Sequence, residues 1–182
     1  VTVADQAENL QQQCPEIPLA NYLLEPMPRG TASVVGLAAV ALQKIDPQAV
    51  MAILAADHLI QNVEYFHTLL NQGHRLAEDG FLVTLGIRPT YPATGYGYIQ
   101  RGPQLEGDDF LAYEVKHFKE KPDEATAQQF LLRGDHDWNS GMFLWRLDRI
   151  WEELNQLMPE LAKKLEEIAA GWDMESRLDT LG

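Results

Sequence analysis

The sequence predicts an α/β fold built on a mixed sheet, and three observations carry that reading. Two apolar runs without alternation, VMAILAA at 50–56 and FLVTLGI at 81–87, have the composition of strands covered on both faces. Helix-like segments at 31–45 and 62–79 alternate with them. Past residue 87 this rhythm stops, and shorter extended segments separated by polar loops take over.

In chain order, residues 2–13 read as a polar helix and LANYLL, 19–24, as a short strand. Residues 31–45 read as a helix with Thr31 as its N-cap. Apolar residues surround most of that helix, so it is expected to pack on two sides. The strand 50–56 follows, then a helix over 62–79 that Asp79-Gly80 ends, then the strand 81–87. Extended structure is expected at 97–101 and 110–118, a helix at 123–133 closed by Gly134, and a further extended stretch, WNSGMFLWR, at 138–146. Residues 147–170 are helical, with Pro159 opening a new helix after Met158. No internal repeat, low-complexity tract or Gly/Ser-rich linker interrupts the pattern, which suits one domain or a piece of one.

With 182 residues, the chain is long enough for one buried core. Fourteen basic against 27 acidic residues give a net charge of −13, which disfavours nucleic acid and anionic membrane as partners. No run is long enough to cross a bilayer. The single cysteine, Cys14, excludes an internal disulfide framework and points to a reducing, cytoplasmic setting. The scarce positive charge is concentrated: Lys116, His117, Lys119 and Lys121 fall within six positions. Either an anion binds there or lysines protect a sheet edge.

Five stretches could carry chemistry. Asp57, in AADH, follows directly on strand 50–56, and ligands of open α/β sheets gather beyond the carboxyl ends of strands. Its carboxylate suits Mg²⁺, which takes one or two protein carboxylates and leaves other positions to water and phosphates; the alternative is a helix cap. His58 either orients that carboxylate or packs. In EPMPRGT, 25–31, the unpaired N–H groups of a helix start and the Arg29 fork could meet an anion. In GIRPTYPATGYGYIQRG, 86–102, Pro89 and Pro92 stiffen the approach while Gly95 and Gly97 open the backbone to a ligand. In FKEKP, 118–122, Glu120 could accept from sugar hydroxyls and Lys121 could meet a phosphate. Neighbouring strand residues face opposite sides, so both reach one ligand only if the chain twists before Pro122. In WNSGMF, 138–143, Asn139 offers donor and acceptor, Gly141 permits close approach, and Trp138 and Phe143 read as core.

In their order, EPMPRGT, ADH, the TGYGYI segment, FKEKP and WNSGMF resemble the nucleotidyltransferase domain of mannose-1-phosphate guanylyltransferases. The resemblance spans residues 25–143, and the TGYGYI segment is its most specific part. It implies a Rossmann-like mixed sheet with helices on both faces. The activity implied joins GTP and mannose 1-phosphate into GDP-mannose with release of diphosphate. Asp57 would hold Mg²⁺, and Glu25, Arg29 and Thr31 would lie near the nucleotide. Thr94, Gly97, Glu120 and Asn139 would contact the sugar, with Lys121 at its phosphate. Alternatives are another hexose 1-phosphate or nucleotide, or a non-catalytic relative that binds a sugar nucleotide and regulates a partner.

The chain also departs from that family. The glycine-rich loop that wraps the triphosphate and a second metal-binding Asp are not found in it. The expectation is therefore a partial nucleotidyltransferase domain over 1–182, inactive alone, whose exposed apolar surface favours association, including a homo-oligomer. A C-terminal isomerase domain in the parent is left open.

Overall fold

A computed structural model describes residues 1–27, 30–105 and 112–172. The chain divides into two compact units, residues 1–51 with those from Arg146 onward, and residues 52–145.

In the first unit, β1 (Thr2–Val3) runs into α1 (Ala4–Gln13), and β1 pairs in parallel with β2 (Leu24–Glu25). The predicted strand 19–24 is largely absent. Pro18, at φ −57°, starts a tight turn, and Tyr22 N–H donates to Leu19 O at 3.1 Å, leaving a 3₁₀ turn over Leu19–Asn21. Local i→i+3 bonding therefore outcompetes ladder pairing there. Helix α2 covers Thr31–Gln43. Thr31 is its first helical residue rather than its cap, because Gly30 at φ +90° occupies the capping position and no side chain caps the end.

Two more helices complete this unit, α5 (Leu147–Leu157) and α6 (Pro159–Gly171). Pro159 stands in the first turn of α6, where the missing N–H would have had no intrahelical partner. Val40, Leu154, Ala162 and Leu165 are buried together, with Ile150, Trp151, Leu161 and Ile168 packed around them. Gly36 lets α6 come close: a Cβ there would collide with Leu165 Cδ1.

The strands of the larger sheet are β3 (Val50–Ile53), which begins in the first unit and ends in the second, β4 (Val83–Ile87), β5 (Tyr98–Gln104), β6 (Tyr113–Lys119) and β7 (His136–Arg146), the last ending where the first unit resumes. The order is β3-β7-β5-β6, with β4 also on β7. The pairings β4–β7, β5–β6 and β5–β7 are all antiparallel. The two runs expected to be covered on both faces are shorter and partly open. Backbone pairing of β4 begins only at Val83, so Phe81 and Leu82 precede it and stay exposed, and Leu54 lies exposed beyond the end of β3. Apolar composition marks where a strand passes but not where its ladder stops.

The helices of the second unit follow their sequence signals. Asn62 Oδ1 accepts Tyr65 N–H at 3.0 Å and caps α3 (Val63–Glu78), which ends at Asp79-Gly80. Asp123 Oδ1 accepts Thr126 N–H at 2.8 Å and caps α4 (Glu124–Arg133). Gly134, at φ +67°, closes α4 in the left-handed conformation a glycine adopts without strain. Helix α4 packs through Ala127 and Phe130 on Tyr98 and Trp138. The fully buried Tyr98 donates its phenol proton to Ala93 O at 2.9 Å, which pins the Pro- and Gly-rich loop to the sheet.

Candidate active site

Register places the site residues in one row across the sheet. Tyr98 pairs with Lys119 on one side and with Trp138 on the other, and Trp138 pairs with Ile87. One step along, Asn139 N–H donates to Gly97 O at 2.8 Å and Gly86 pairs with Asn139. A Cβ at Gly97 would lie 2.7 Å from Glu120 Oε2 and 3.5 Å from Asn139 Cβ. Glu120, Gly97, Asn139 and Gly86 are thus neighbours on one face. The bare Gly97 is the gap into which the Glu120 carboxylate leans.

Lys121 reaches the same side by a backbone twist. Alternation alone would send it to the opposite face from Glu120. Instead Lys121 adopts φ +40°, the one positive φ at a non-glycine among the described residues, directly before the buried Pro122. Side chains meet steric resistance in that region, and such outliers persist where their surroundings over-determine them. The twist leaves Lys121 Nζ 3.8 Å from Glu120 Oε1, with the two side chains 66% and 72% exposed. That exposure makes the pair a weak contributor to stability and leaves both groups open to a ligand. Lys116, His117 and Lys119 stay on the exposed strand β6, where alternation divides them between its faces.

Asn139 owes its position to a bulge. Between the pairs Gly86–Asn139 and Thr84–Phe143, β7 advances four residues while β4 advances two. Each residue of NSG has a part in it. Gly141 takes φ +71°, and its N–H donates to Asn139 Oδ1 at 3.2 Å. The buried Ser140 donates to Leu85 O at 2.6 Å and accepts Met142 N–H at 3.1 Å, so its hydroxyl stands in for lost ladder bonds. Thr84 Oγ1 lies 3.3 Å from Met142 O and 3.5 Å from Asn139 Oδ1. Thr84 and Ser140 do not stand out in the sequence, because their part depends on cross-strand register; the Ser inside NSG is the one local signal.

On the other face, Trp138 is buried as expected and carries two tyrosines edge-on, Tyr91 at 4.9 Å and Tyr96 at 5.2 Å between ring centroids. A hydrogen bond with Tyr96, then burial, pushes the Tyr91 phenol above its ordinary range. Phe143 is half-buried and stacks on Trp145.

Among the described residues no hydrogen bond or ion pair ties the remaining candidates to the row. Strand β3 ends at Ile53, so Asp57 sits in a following turn rather than directly at the strand's end. Its side chain is 91% exposed, with His58 Nε2 3.9 Å from Oδ1. No group of three His, Cys, Asp or Glu converges as a metal cage among the described residues. A single open carboxylate fits Mg²⁺ held mainly by water and substrate oxygens, the mode that ion favours. Thr94 is exposed in the loop before β5. Glu25, half-buried on β2, and Thr31, exposed at the start of α2, belong to the first unit, and Arg29 lies outside the described residues.

A strained cation, a carboxylate, an amide and a glycine thus come together on a fold of alternating helices and strands. Residues 1–180 match the family described as Nucleotidyl transferase, and the chain belongs to that family. It is 45% identical over 164 residues to the mannose-1-phosphate guanylyltransferase of Salmonella montevideo, covering 88% of this chain and 33% of that protein. Over 141 residues it is 42% identical to the enzyme of the same name from Klebsiella pneumoniae, covering 78% of this chain and 30% of that protein. The chain thus spans about a third of the length of these curated relatives.

Two solved structures are similar over most of this chain. A Thermus thermophilus protein described as mannose-1-phosphate geranyltransferase superposes with a TM-score of 0.84 at 32% identity, over 98% of this chain and 50% of that one. A Helicobacter pylori protein described as mannose-6-phosphate isomerase gives 0.78 at 28% identity, over 93% and 64%. The α/β class read from the sequence is the class observed.

Proposed function

We propose that the protein carrying this chain is a mannose-1-phosphate guanylyltransferase, forming GDP-mannose and diphosphate from GTP and mannose 1-phosphate. The observation that carries this reading is the Lys121 twist, which sets an ammonium beside Glu120 over the bare Gly97, next to Asn139. The names of the relatives supply the particular sugar and nucleotide.

The residue types suit the reaction. The attacking oxygen belongs to a phosphate already ionised at neutral pH, so no general base is required. Acceleration must then come from positioning and from neutralising charge. Glu120 and Asn139 hold sugar hydroxyls and fix the sugar's orientation. Lys121 lets the sugar phosphate approach a triphosphate despite their repulsion, a local reversal of sign in a chain of net charge −13. This reading assigns Glu25, Arg29 and Thr31 to the nucleotide and Thr94 to the sugar. Asp57 is the residue that would hold Mg²⁺, and the chemistry the ion supplies when bound is neutralisation of charge on the phosphate oxygens.

The test is turnover by the full-length protein, followed as GDP-mannose and diphosphate release, with GTP compared against ATP and UTP. GDP-mannose formation that collapses in Lys121→Ala, with folding intact, supports the reading. Absence of turnover together with no calorimetric binding of mannose 1-phosphate overturns it.

A further inference from the structure

We infer that Asn139 meets its ligand through its side-chain NH₂, its carbonyl being turned to the Gly141 N–H of the bulge. This rests on the sugar-phosphate reading of the site and goes beyond it. An asparagine side chain carries an acceptor and two donors, so nearness to a sugar does not say which end is read.

The bulge decides. Gly141 N–H points at the side-chain atom 3.2 Å away, and a donor requires that atom to be Oδ1. The Thr84 hydroxyl, whose one proton has Met142 O at 3.3 Å and this oxygen at 3.5 Å, does not decide the orientation. Turning the amide over would set its NH₂ against the Gly141 N–H and leave that N–H without an acceptor, which costs about 1–3 kcal/mol. The backbone that fixes Gly141 is itself held by Ser140, bonded to Leu85 O and Met142 N. No acceptor for Nδ2 is recorded among the described residues.

Across the bare Gly97 stands Glu120, which accepts and does not donate when ionised. The row therefore presents an acceptor and a donor on either side of one glycine. The ligand it complements carries one hydroxyl that donates to Glu120 and a neighbouring oxygen that accepts from Asn139.

The experiment uses the full-length protein and mannose 1-phosphate. Asn139→Asp keeps an oxygen for the Gly141 N–H and removes both donors. We expect the melting temperature to hold, the KM for mannose 1-phosphate to rise about tenfold or more, and the KM for GTP to stay. Because the new carboxylate also adds charge, a second series uses deoxy and deoxyfluoro analogues, since fluorine can accept but cannot donate. At one ring position the fluoro analogue should bind better than the deoxy analogue in the wild type, and this advantage should vanish in Asn139→Asp.

An unchanged KM in Asn139→Asp, or no analogue pair whose difference depends on Asn139, overturns the inference alone. Failure of every hexose 1-phosphate to bind the wild type overturns the functional reading and this inference with it.

Discussion

Two regions of the chain use glycine for opposite ends. Between α2 and α6, the missing side chain of Gly36 is filled by Leu165, and the cluster around it excludes water, with Val40 1% and Leu165 2% exposed. In the row Glu120–Gly97–Asn139, the missing side chain is left as room for a carboxylate that remains in solvent. The first region turns apolar area into stability. The second spends some of that stability on a left-handed lysine and on polar groups aimed outward. Both glycines are buried and look alike in the sequence, and the side chains that lean on them, one apolar and one charged, give them different meanings.

Substitutions can break this contrast. The largest effect is expected for Leu165→Ala, which empties the helical core and should lower stability by about 2–5 kcal/mol in urea unfolding. The KM for mannose 1-phosphate should stay put; a large change there would mean that the two regions are not functionally separate. Next comes Lys121→Ala, expected to cut kcat/KM by about 10²–10³-fold, as loss of one charge-stabilising donor does elsewhere. Unfolding should be little affected, since the pair is mostly in water. Lys121→Gly sharpens the point, because glycine takes φ +40° without penalty. Activity should be lost as in the alanine variant while stability rises by about 1 kcal/mol. A drop in stability instead would show that the twist is not strained.

A third, smaller effect is electrostatic. Burial pushes the Asp135 carboxyl up, but hydrogen bonds from Gln100, His136 and Arg133 outweigh it and hold it down at about 2. A folded-state value below the unfolded one contributes stability that is present above about pH 4, the ordinary carboxyl range. That stability fades as pH falls from there through about 2. Asp135→Asn should cost about 1 kcal/mol near neutrality and flatten the acid limb of the stability curve. An acid limb as steep as the wild type's would reassign the effect to other carboxyls. The smallest change expected is Gly97→Ala. Its Cβ would crowd Glu120 Oε2 at 2.7 Å, but an exposed carboxylate can swing aside, so the KM for the sugar phosphate should rise only about three- to tenfold.

Much of the frame was legible from local chemistry. Asp123 and Gly134 bracket α4, Asp79-Gly80 ends α3 and Pro159 opens α6, each because a cap, a turn or a missing N–H acts within a few residues. Local signals failed where pairing partners mattered. LANYLL had a strand's composition yet formed a turn, and Phe81 and Leu82 had a core's composition yet stayed outside the ladder. The same holds in the site. FKEKP showed that a twist was needed before Pro122, but only the φ of Lys121 shows that it occurs.

The order of residues by itself determined the α/β class, most helix ends and which side chains carry charge beside glycine, because these follow from propensities and contacts a few positions apart. Tertiary structure alone decided that Glu120, Gly97 and Asn139 form one row and that the Asn139 carbonyl turns inward. Those depend on which strands pair and in what register, and register is settled by the buried Tyr98–Trp138 face acting across the sheet.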